Sequence, residues 1–140
     1  MALLEVQDLD VHYGGIHALK GVTLRVERGE IVTLIGANGA GKTTTLRAIS
    51  GLLAPSGGKV SFDGQLINRV PQRGPWRRSG WGWLVDLLRF LRWQRGIAAH
   101  KIVERGLAHA PEGRGIFANL TVDENLEIGS YVRRDRDQVK

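Results

Sequence analysis

A run of nine small, basic and hydroxyl-bearing residues holds the side chains best suited to bind phosphate. Residues 36–44 read G-A-N-G-A-G-K-T-T, which matches the spacing G-x-x-x-x-G-K followed by Ser or Thr. Glycine permits backbone angles that a side chain forbids, so successive N–H groups can turn towards one anion, while the lysine adds a mobile positive charge. A threonine hydroxyl here suits Mg²⁺, which also accepts phosphate oxygens and water. The pattern predicts a site for nucleoside triphosphate in which Thr43 is the metal ligand. The site is formed by Gly36, Asn38, Gly39, Ala40, Gly41, Lys42, Thr43 and Thr44. The competing interpretation is a Gly-rich turn that binds no ligand.

Two elements must flank this run to position it. The apolar stretch from Glu30 to Ile35 predicts a strand buried on both faces of a parallel sheet. A helix is expected from Lys42 to Ser50, with Leu46 and Ile49 facing inward and Gly51 near its C-terminus. The N-terminus of that helix would direct partial positive charge and unpaired amides at the phosphate.

The rest of the chain predicts an α/β arrangement. Strands are expected from Leu4 to Val11, ended by Tyr13-Gly14-Gly15, and around Val22 to Val26 and Val60 to Phe62. Further on, the pattern favours a helix closing at Ile102 to Arg105, a short strand at Gly106 to His109 and a loop at Pro111 to Gly115. Thr121 and Glu124 have the spacing of a capping box at a helix start, and the charged residues 133–140 are expected to fray.

Composition narrows the class of protein. The 140 residues carry a net charge of +6. The chain contains no cysteine, and this excludes disulfides and zinc-thiolate sites. Six arginines against one aspartate in residues 72–96 supply most of that charge, so we expect no nucleic-acid partner. No secretory signal or apolar span of about 20 residues is evident, and a soluble or peripheral protein is expected. The histidines at 12, 17, 100 and 109 have no metal-ligand spacing.

Several motifs occur in an order that is typical of one family. V-H-Y-G-G precedes the phosphate-binding run, S-G-G-K-V-S-F-D-G follows it, and A-P-E-G-R-G-I-F and L-T-V-D-E-N-L come later. Over residues 3–64 and 101–131 the sequence resembles the ATP-binding subunit of ABC transporters. Most members have glutamine where Glu112 stands, and the branched-chain amino-acid importers are similar to this chain in having glutamate.

The resemblance implies roles for single residues. Tyr13 would stack on adenine, residues 36–44 would hold the triphosphate of ATP, and Thr43 would bind Mg²⁺. Glu112 would lie in a coupling loop that senses the γ-phosphate and the metal. The competing interpretations are a Tyr13 ring packed on the core and a Glu112 carboxylate in solvent.

The resemblance also implies partners and a place of action. They are the membrane-spanning transporter subunits and a second ATPase subunit, met at the cytoplasmic face of the inner membrane. The implied function is to energise import of branched-chain amino acids by ATP hydrolysis. The alternative is a non-catalytic nucleotide-binding or membrane-surface fragment, while a small phosphate-loop kinase is disfavoured because no acceptor site or lid arginine pattern follows the loop.

The fold expected from the resemblance is α/β, a P-loop NTPase core of an ABC ATPase with a small antiparallel β subdomain, C-terminally truncated. The sequence stops before the family's signature sequence, its second acidic strand with the catalytic glutamate and its switch histidine. We therefore assign no catalytic residue and expect this chain alone to bind ATP poorly and not to hydrolyse it. An unpaired apolar edge at Ile31 to Ile35 would make the chain marginally stable or aggregation-prone.

Three segments follow from these patterns. Residues 1–71 form the first part of the ATP-binding domain, residues 72–96 a basic Trp-rich insertion, and residues 97–140 the continuation into a helical subdomain. Residues 83–93 of the insertion have the pattern of a basic amphipathic helix that would lie on an anionic membrane. A packed surface insertion and a wrongly framed stretch rich in Arg, Trp and Gly remain as the other two interpretations.

Overall fold

The structure, a computed structural model, describes residues 2–68, 97–113 and 115–132. The predicted insertion, with its helix at 83–93, and the charged residues 133–140 lie outside the described residues. In the part that is described, no helix combines the length and apolarity needed to traverse a lipid bilayer.

An antiparallel sheet begins the chain. It consists of β1 (Ala2–Tyr13), β2 (Ile16–Glu27), β3 (Gly57–Phe62) and β4 (Gln65–Leu66), in the order β2-β1-β3-β4. Val6 at the middle of β1 pairs with Leu24 on one side and Val60 on the other. The strands predicted at residues 4–11, 22–26 and 60–62 and the turn after Tyr13 are confirmed, and β2 extends further towards the turn than the sequence indicated.

Among the described residues there are three short helices, and the first of them contacts β1 and β2. They are α1 (Lys42–Ile49), α2 (Ala99–Glu104) and α3 (Val122–Gly129). The core joins apolar side chains of the strands with those of α1, α2 and the residue after β4, namely Val6, Leu9, Val11, Leu19, Ala48, Ile49, Val60, Ile67 and Ile102. α3 contributes no buried residue, so the core is formed by the sheet with α1 and α2.

The inner face of α1 differs from the prediction by part of a turn. Ile49 is buried as expected, but Leu46 is 46% exposed, and the face against the core is formed by Thr45, Ala48 and Ile49. These positions have the i, i+3, i+4 spacing of one helix face. Thr45 can lie inside because its hydroxyl donates to the Gly41 carbonyl at 2.9 Å, which satisfies the polar group.

Two predicted strands are absent from the described residues. Residues 30–35 adopt no strand, and Ile31 and Ile35 are 94% and 92% exposed, because no described segment lies beside them to complete a hydrogen-bonded ladder. Residues 106–109 leave α2 through a turn and also pair with no described strand. Apolar patterning identified both segments as strand-like, but strand formation depends on a neighbouring strand.

A bulge explains the irregular alternation of β1. Val6 and Leu9 are both buried although three positions apart, since the pairing slips between them and Asp8 takes a left-handed φ of 47°. The Asp8 amide donates to the Thr23 hydroxyl oxygen at 3.0 Å. Gly58 packs onto the bulge so closely that a Cβ there would lie 2.4 Å from the Asp8 carbonyl oxygen.

We predict that Gly58→Ala destabilises the chain by at least about 3 kcal/mol, because it combines a left-handed backbone with an overlap against β1. The matched control is Gly64→Ala. Gly64 has a similar φ of +73° against +86° at Gly58, but a Cβ at Gly64 would meet nothing within 4 Å. We expect only about 1 kcal/mol for the control. Urea denaturation compares the two, and equal losses would refute the packing argument.

Candidate nucleotide-binding site

The phosphate loop, residues 36–41, ends in a backbone conformation that favours glycine. Gly39 and Gly41 have φ of +85° and +90°, and Gly41 is the N-cap of α1. A Cβ on Gly41 would lie 2.6 Å from the Leu19 side chain, and one on Gly36 would lie 3.1 Å from the Ala40 Cβ. The loop is therefore closely packed at both ends, and its glycines are required by backbone angle and by space.

The start of α1 leaves backbone donors free to meet an anion. Its N-cap makes no side-chain hydrogen bond to the helix, and the first turn contains no acidic residue. The first amides of an α-helix have no partner within the helix, and they carry the positive end of its dipole. Thr44 lies in this half-buried first turn, while Asn38 and Ala40 lie in the exposed loop before it. The unpaired amides and the partial positive charge at this end of α1 favour the binding of a phosphate group.

The Lys42 side chain lies along the phosphate loop. Its Nζ donates to the carbonyl oxygens of Gly36 at 2.7 Å and Ala37 at 2.9 Å. The ammonium is thus held at the loop by two neutral acceptors, which a phosphate with its full negative charge can replace. No protein carboxylate is recorded in an ion pair with this ammonium among the described residues, so its positive charge is available to a ligand.

Thr43 and Glu112 meet although 69 positions separate them in the chain. The Thr43 hydroxyl and Glu112 Oε1 are 3.5 Å apart, which brings Glu112 to the first turn of α1. Thr43 is half-buried and Glu112 is exposed. Both are oxygen donors of the kind that Mg²⁺ takes together with phosphate oxygens and water, so the donor set fits that metal.

The predicted capping box at the start of α3 is confirmed. Thr121 caps the helix, and Glu124 returns a side-chain contact to the Thr121 backbone amide at 2.7 Å. Hydrogen bonds from the backbone amide and the hydroxyl of Thr121 lower the pKa of Glu124 from its ordinary value. The box fixes where the segment after Glu112 turns into α3.

Sequence reasoning missed Asn125, which organises the turn before α3. Its Oδ1 accepts from the Phe117 amide at 2.9 Å, and its Nδ2 donates to the carbonyls of Phe117 and Thr121 at 3.1 and 2.8 Å. An amide side chain supplies the donor and the acceptor together, which neither Asp nor Leu does. The position of an Asn four residues after the Thr121 cap is the only signal that the sequence offers.

Tyr13 ends β1 opposite Ile16 and is 44% exposed, so its ring is not a core side chain. The hairpin that carries it passes close to the phosphate loop, since Leu19 and the Ala18 carbonyl lie next to Gly41. The structure records no contact between Tyr13 and the loop itself. An exposed ring at this end of the hairpin is accessible to a planar ligand group.

A polar cluster that the sequence did not predict lies beside Tyr13. The His12 and His17 rings stack with centroids 4.0 Å apart and an interplanar angle of 12°. His17 Nε2 is 2.7 Å from Asp10 Oδ1, and His12 Nδ1 is 2.7 Å from the Ser56 hydroxyl. The His17 contact, with help from the Gly21 amide, lowers the pKa of the Asp10 carboxyl. Within the described ranges, no group of three His, Cys, Asp or Glu side chains could hold a metal ion.

Comparisons with known proteins agree on one family. The sequence model of the ABC transporter family matches residues 19–140. The high-affinity branched-chain amino acid transport ATP-binding protein BraG of Pseudomonas aeruginosa is 33% identical over 129 residues, 92% of this chain and 44% of the relative. The lipopolysaccharide export system ATP-binding protein LptB of Haemophilus influenzae is 31% identical over 135 residues, 96% of this chain and 45% of the relative.

A solved structure supports the fold. The ATP-binding subunit of an ABC transporter superposes with a TM-score of 0.61 at 32% identity, covering 93% of this chain and 42% of that one. The chain spans less than half the length of the curated relatives that it matches. The antiparallel sheet with α1 is thus the expected ABC ATPase fold, and the predicted antiparallel subdomain is confirmed.

We predict that Thr121→Ala raises the Glu124 pKa towards its ordinary value, because both hydrogen-bonded groups that lower it belong to Thr121 and the hydroxyl is lost. The lowered pKa means that the cap contributes stability above the ordinary glutamate value of about 4.3 and loses it as the pH falls below that value. Carbon NMR shifts of the Glu124 carboxyl measure the change. Thr121→Ser keeps the hydroxyl and is expected to titrate like the unchanged chain, so a shift in Thr121→Ser as large as in Thr121→Ala would contradict the assignment.

Proposed function

Because the chain belongs to the ABC transporter family and contains part of its ATP-binding domain, we propose that it binds ATP with Mg²⁺ and serves an importer of branched-chain amino acids. The observation that carries the proposal is the 3.5 Å approach of Thr43 to Glu112. It joins the helix start that follows the phosphate loop to a residue far along the chain, as a nucleotide sensor requires.

The binding roles follow from the charges at the loop. Backbone amides of residues 36–44 and the N-terminus of α1 would meet the phosphates, and Lys42 would exchange its two carbonyl acceptors for phosphate oxygens. The exposed ring of Tyr13 would stack on adenine. Phosphates and base would thus be held by different elements, the loop and the β1–β2 hairpin.

Glu112 is the residue that would link nucleotide to the rest of the transporter. Its carboxylate is negative and would repel a triphosphate, so it is favourable here only with a cation between them. Magnesium, when bound, would neutralise phosphate charge, with Thr43 and Glu112 as the oxygen donors from this chain. Nucleotide with metal would then favour one position of Glu112, which precedes the turn held by Asn125 before α3.

The proposed transport function is based on the names of the curated relatives that this chain matches. BraG is named for branched-chain amino acid transport and LptB for lipopolysaccharide export, so the family includes several cargoes. Glu112 favours the first through the resemblance of its motif to the branched-chain amino-acid importers. The proposed partners are membrane-spanning subunits and a second ATPase subunit at the cytoplasmic face of the inner membrane, where ATP hydrolysis would drive import. No residue of this chain is proposed as catalytic.

We predict that Lys42→Ala lowers the affinity for MgATP at least about tenfold, since a charge-assisted contact to phosphate contributes about 1.5–3 kcal/mol. Calorimetry with nucleotide up to millimolar concentration measures the loss. The control is Lys59→Ala, which removes an exposed lysine of β3 and is expected to leave the affinity unchanged. Equal affinity in Lys42→Ala and the unchanged chain would exclude the phosphate site.

We also predict that Thr43→Ala weakens MgATP binding about tenfold while binding of ATP in EDTA stays the same, because only a metal ligand is removed. Thr43→Ser retains a hydroxyl and is expected to bind normally. Glu112→Ala should reduce the Mg²⁺ dependence in the same direction. A loss for Thr43→Ala that is identical with and without metal would show a structural role and not metal binding.

A further inference from the structure

We propose that the stacked His12 and His17 rings, anchored by Asp10 and Ser56, are positioning residues that set the selectivity of the site for an adenine nucleotide over bare triphosphate. They would do so by holding the end of the hairpin that presents Tyr13. The inference rests on the proposed nucleotide site and deepens it by assigning base recognition to a cluster outside the phosphate loop.

The stack lies next to Tyr13 in the sheet. His12 pairs with His17 across β1 and β2, and Tyr13 pairs with Ile16 one step closer to the turn. The rings are nearly parallel at 12° with centroids 4.0 Å apart, so they form an extended aromatic contact between the two strands. This cross-strand contact is the one nearest to the Tyr13 pair among those recorded for the described side chains.

Each ring is also fixed at its edge by a hydrogen bond to another element. Asp10 Oδ1 accepts from His17 and from the Gly21 amide, at 2.7 and 3.2 Å. The Asp10 carbonyl accepts from the Ser56 amide at 2.8 Å, while the Ser56 hydroxyl meets His12. Ser56 belongs to the segment between α1 and β3, so the cluster ties the hairpin end to the helix whose other end forms the phosphate site.

The cluster and Tyr13 lie on opposite faces of the hairpin. His12 and Tyr13 follow each other with no register shift between them, and neighbouring side chains along a strand point to opposite faces, so Tyr13 lies on the other face from His12. Gly14 and Gly15 follow Tyr13 directly, and a Cβ on either would meet nothing within 4 Å, so the turn is open on that side. Restraint of the Tyr13 backbone therefore comes from the strand pairing and the stack behind it.

A role in base recognition predicts different effects on the binding of ATP and of tripolyphosphate. Tripolyphosphate shares the phosphates of ATP but has no base, so a residue that acts through Tyr13 affects ATP and not tripolyphosphate. A residue that only stabilises the fold affects both ligands alike. The contrast separates positioning of Tyr13 from general stability of the hairpin.

The test compares His12→Ala with His12→Phe, which both lose the Ser56 hydrogen bond but differ in whether a ring remains on His17. We expect His12→Ala to lower MgATP affinity about fivefold to tenfold, the order of a lost base–aromatic stack, and to leave magnesium tripolyphosphate affinity unchanged. His12→Phe should restore most of the ATP affinity. In a Tyr13→Ala background, His12→Ala should cause no further loss, since the two residues act as a unit.

Failure of this inference and failure of the proposed nucleotide function give different results. The inference is overturned if His12→Ala weakens both ligands equally, weakens neither, or weakens ATP in the Tyr13→Ala background as much as in the unchanged chain. Circular dichroism and urea midpoints of the two His12 variants verify that both fold. If the unchanged chain binds neither ligand, the proposed nucleotide function itself is wrong and this inference falls with it. If it binds both and only the His12 contrast fails, the proposed function stands alone.

Discussion

The contact between Gly41 and Leu19 is the constraint on which the site depends. Gly41 is the left-handed N-cap of α1 and lies so close to β2 that a Cβ there would lie 2.6 Å from the Leu19 side chain. This contact sets where α1 begins relative to the sheet and therefore where its free amides point. Thr45, one turn later, returns its amide and hydroxyl to the Gly41 carbonyl at 2.8 and 2.9 Å. The C-terminal end of the phosphate loop is thus fixed both by packing against Leu19 and by hydrogen bonds from the helix.

From this junction the site extends in two directions. Towards the N-terminus, the β1–β2 hairpin brings Tyr13 and the histidine stack to the same end of the sheet. Towards the C-terminus, Thr43 meets Glu112, and Asn125 with the capping box holds the turn that follows. The first direction carries aromatic side chains suited to a base, and the second carries oxygen donors suited to a metal. This division of chemistry matches the two ends of a nucleotide.

Local sequence patterns predicted the fold where the physical cause was also local. The glycines of the loop, the Thr121 cap with Glu124, and Gly51 after α1 with φ of +74° all depend on residues within a few positions, and the structure confirms them. Alternation predicted β1 to β3 for the same reason. The two strands at 30–35 and 106–109 were wrong for the described residues, because strand formation needs a partner that patterning cannot supply. Leu46 was placed inward because it is apolar, although Thr45 packs there once its hydroxyl is satisfied.

The sequence by itself determined the conformations available to each segment: a turn of left-handed glycines before α1, a capping box at the start of α3, and a hairpin with two glycines at its end. Only the tertiary structure decided which side chains meet. The bulge at Asp8 sets the register that places Val6 and Leu9 in the core, and the fold brings Glu112 to Thr43 and His12 onto His17. Such contacts depend on the relative placement of whole elements, which is set by core packing and not by any short stretch of residues.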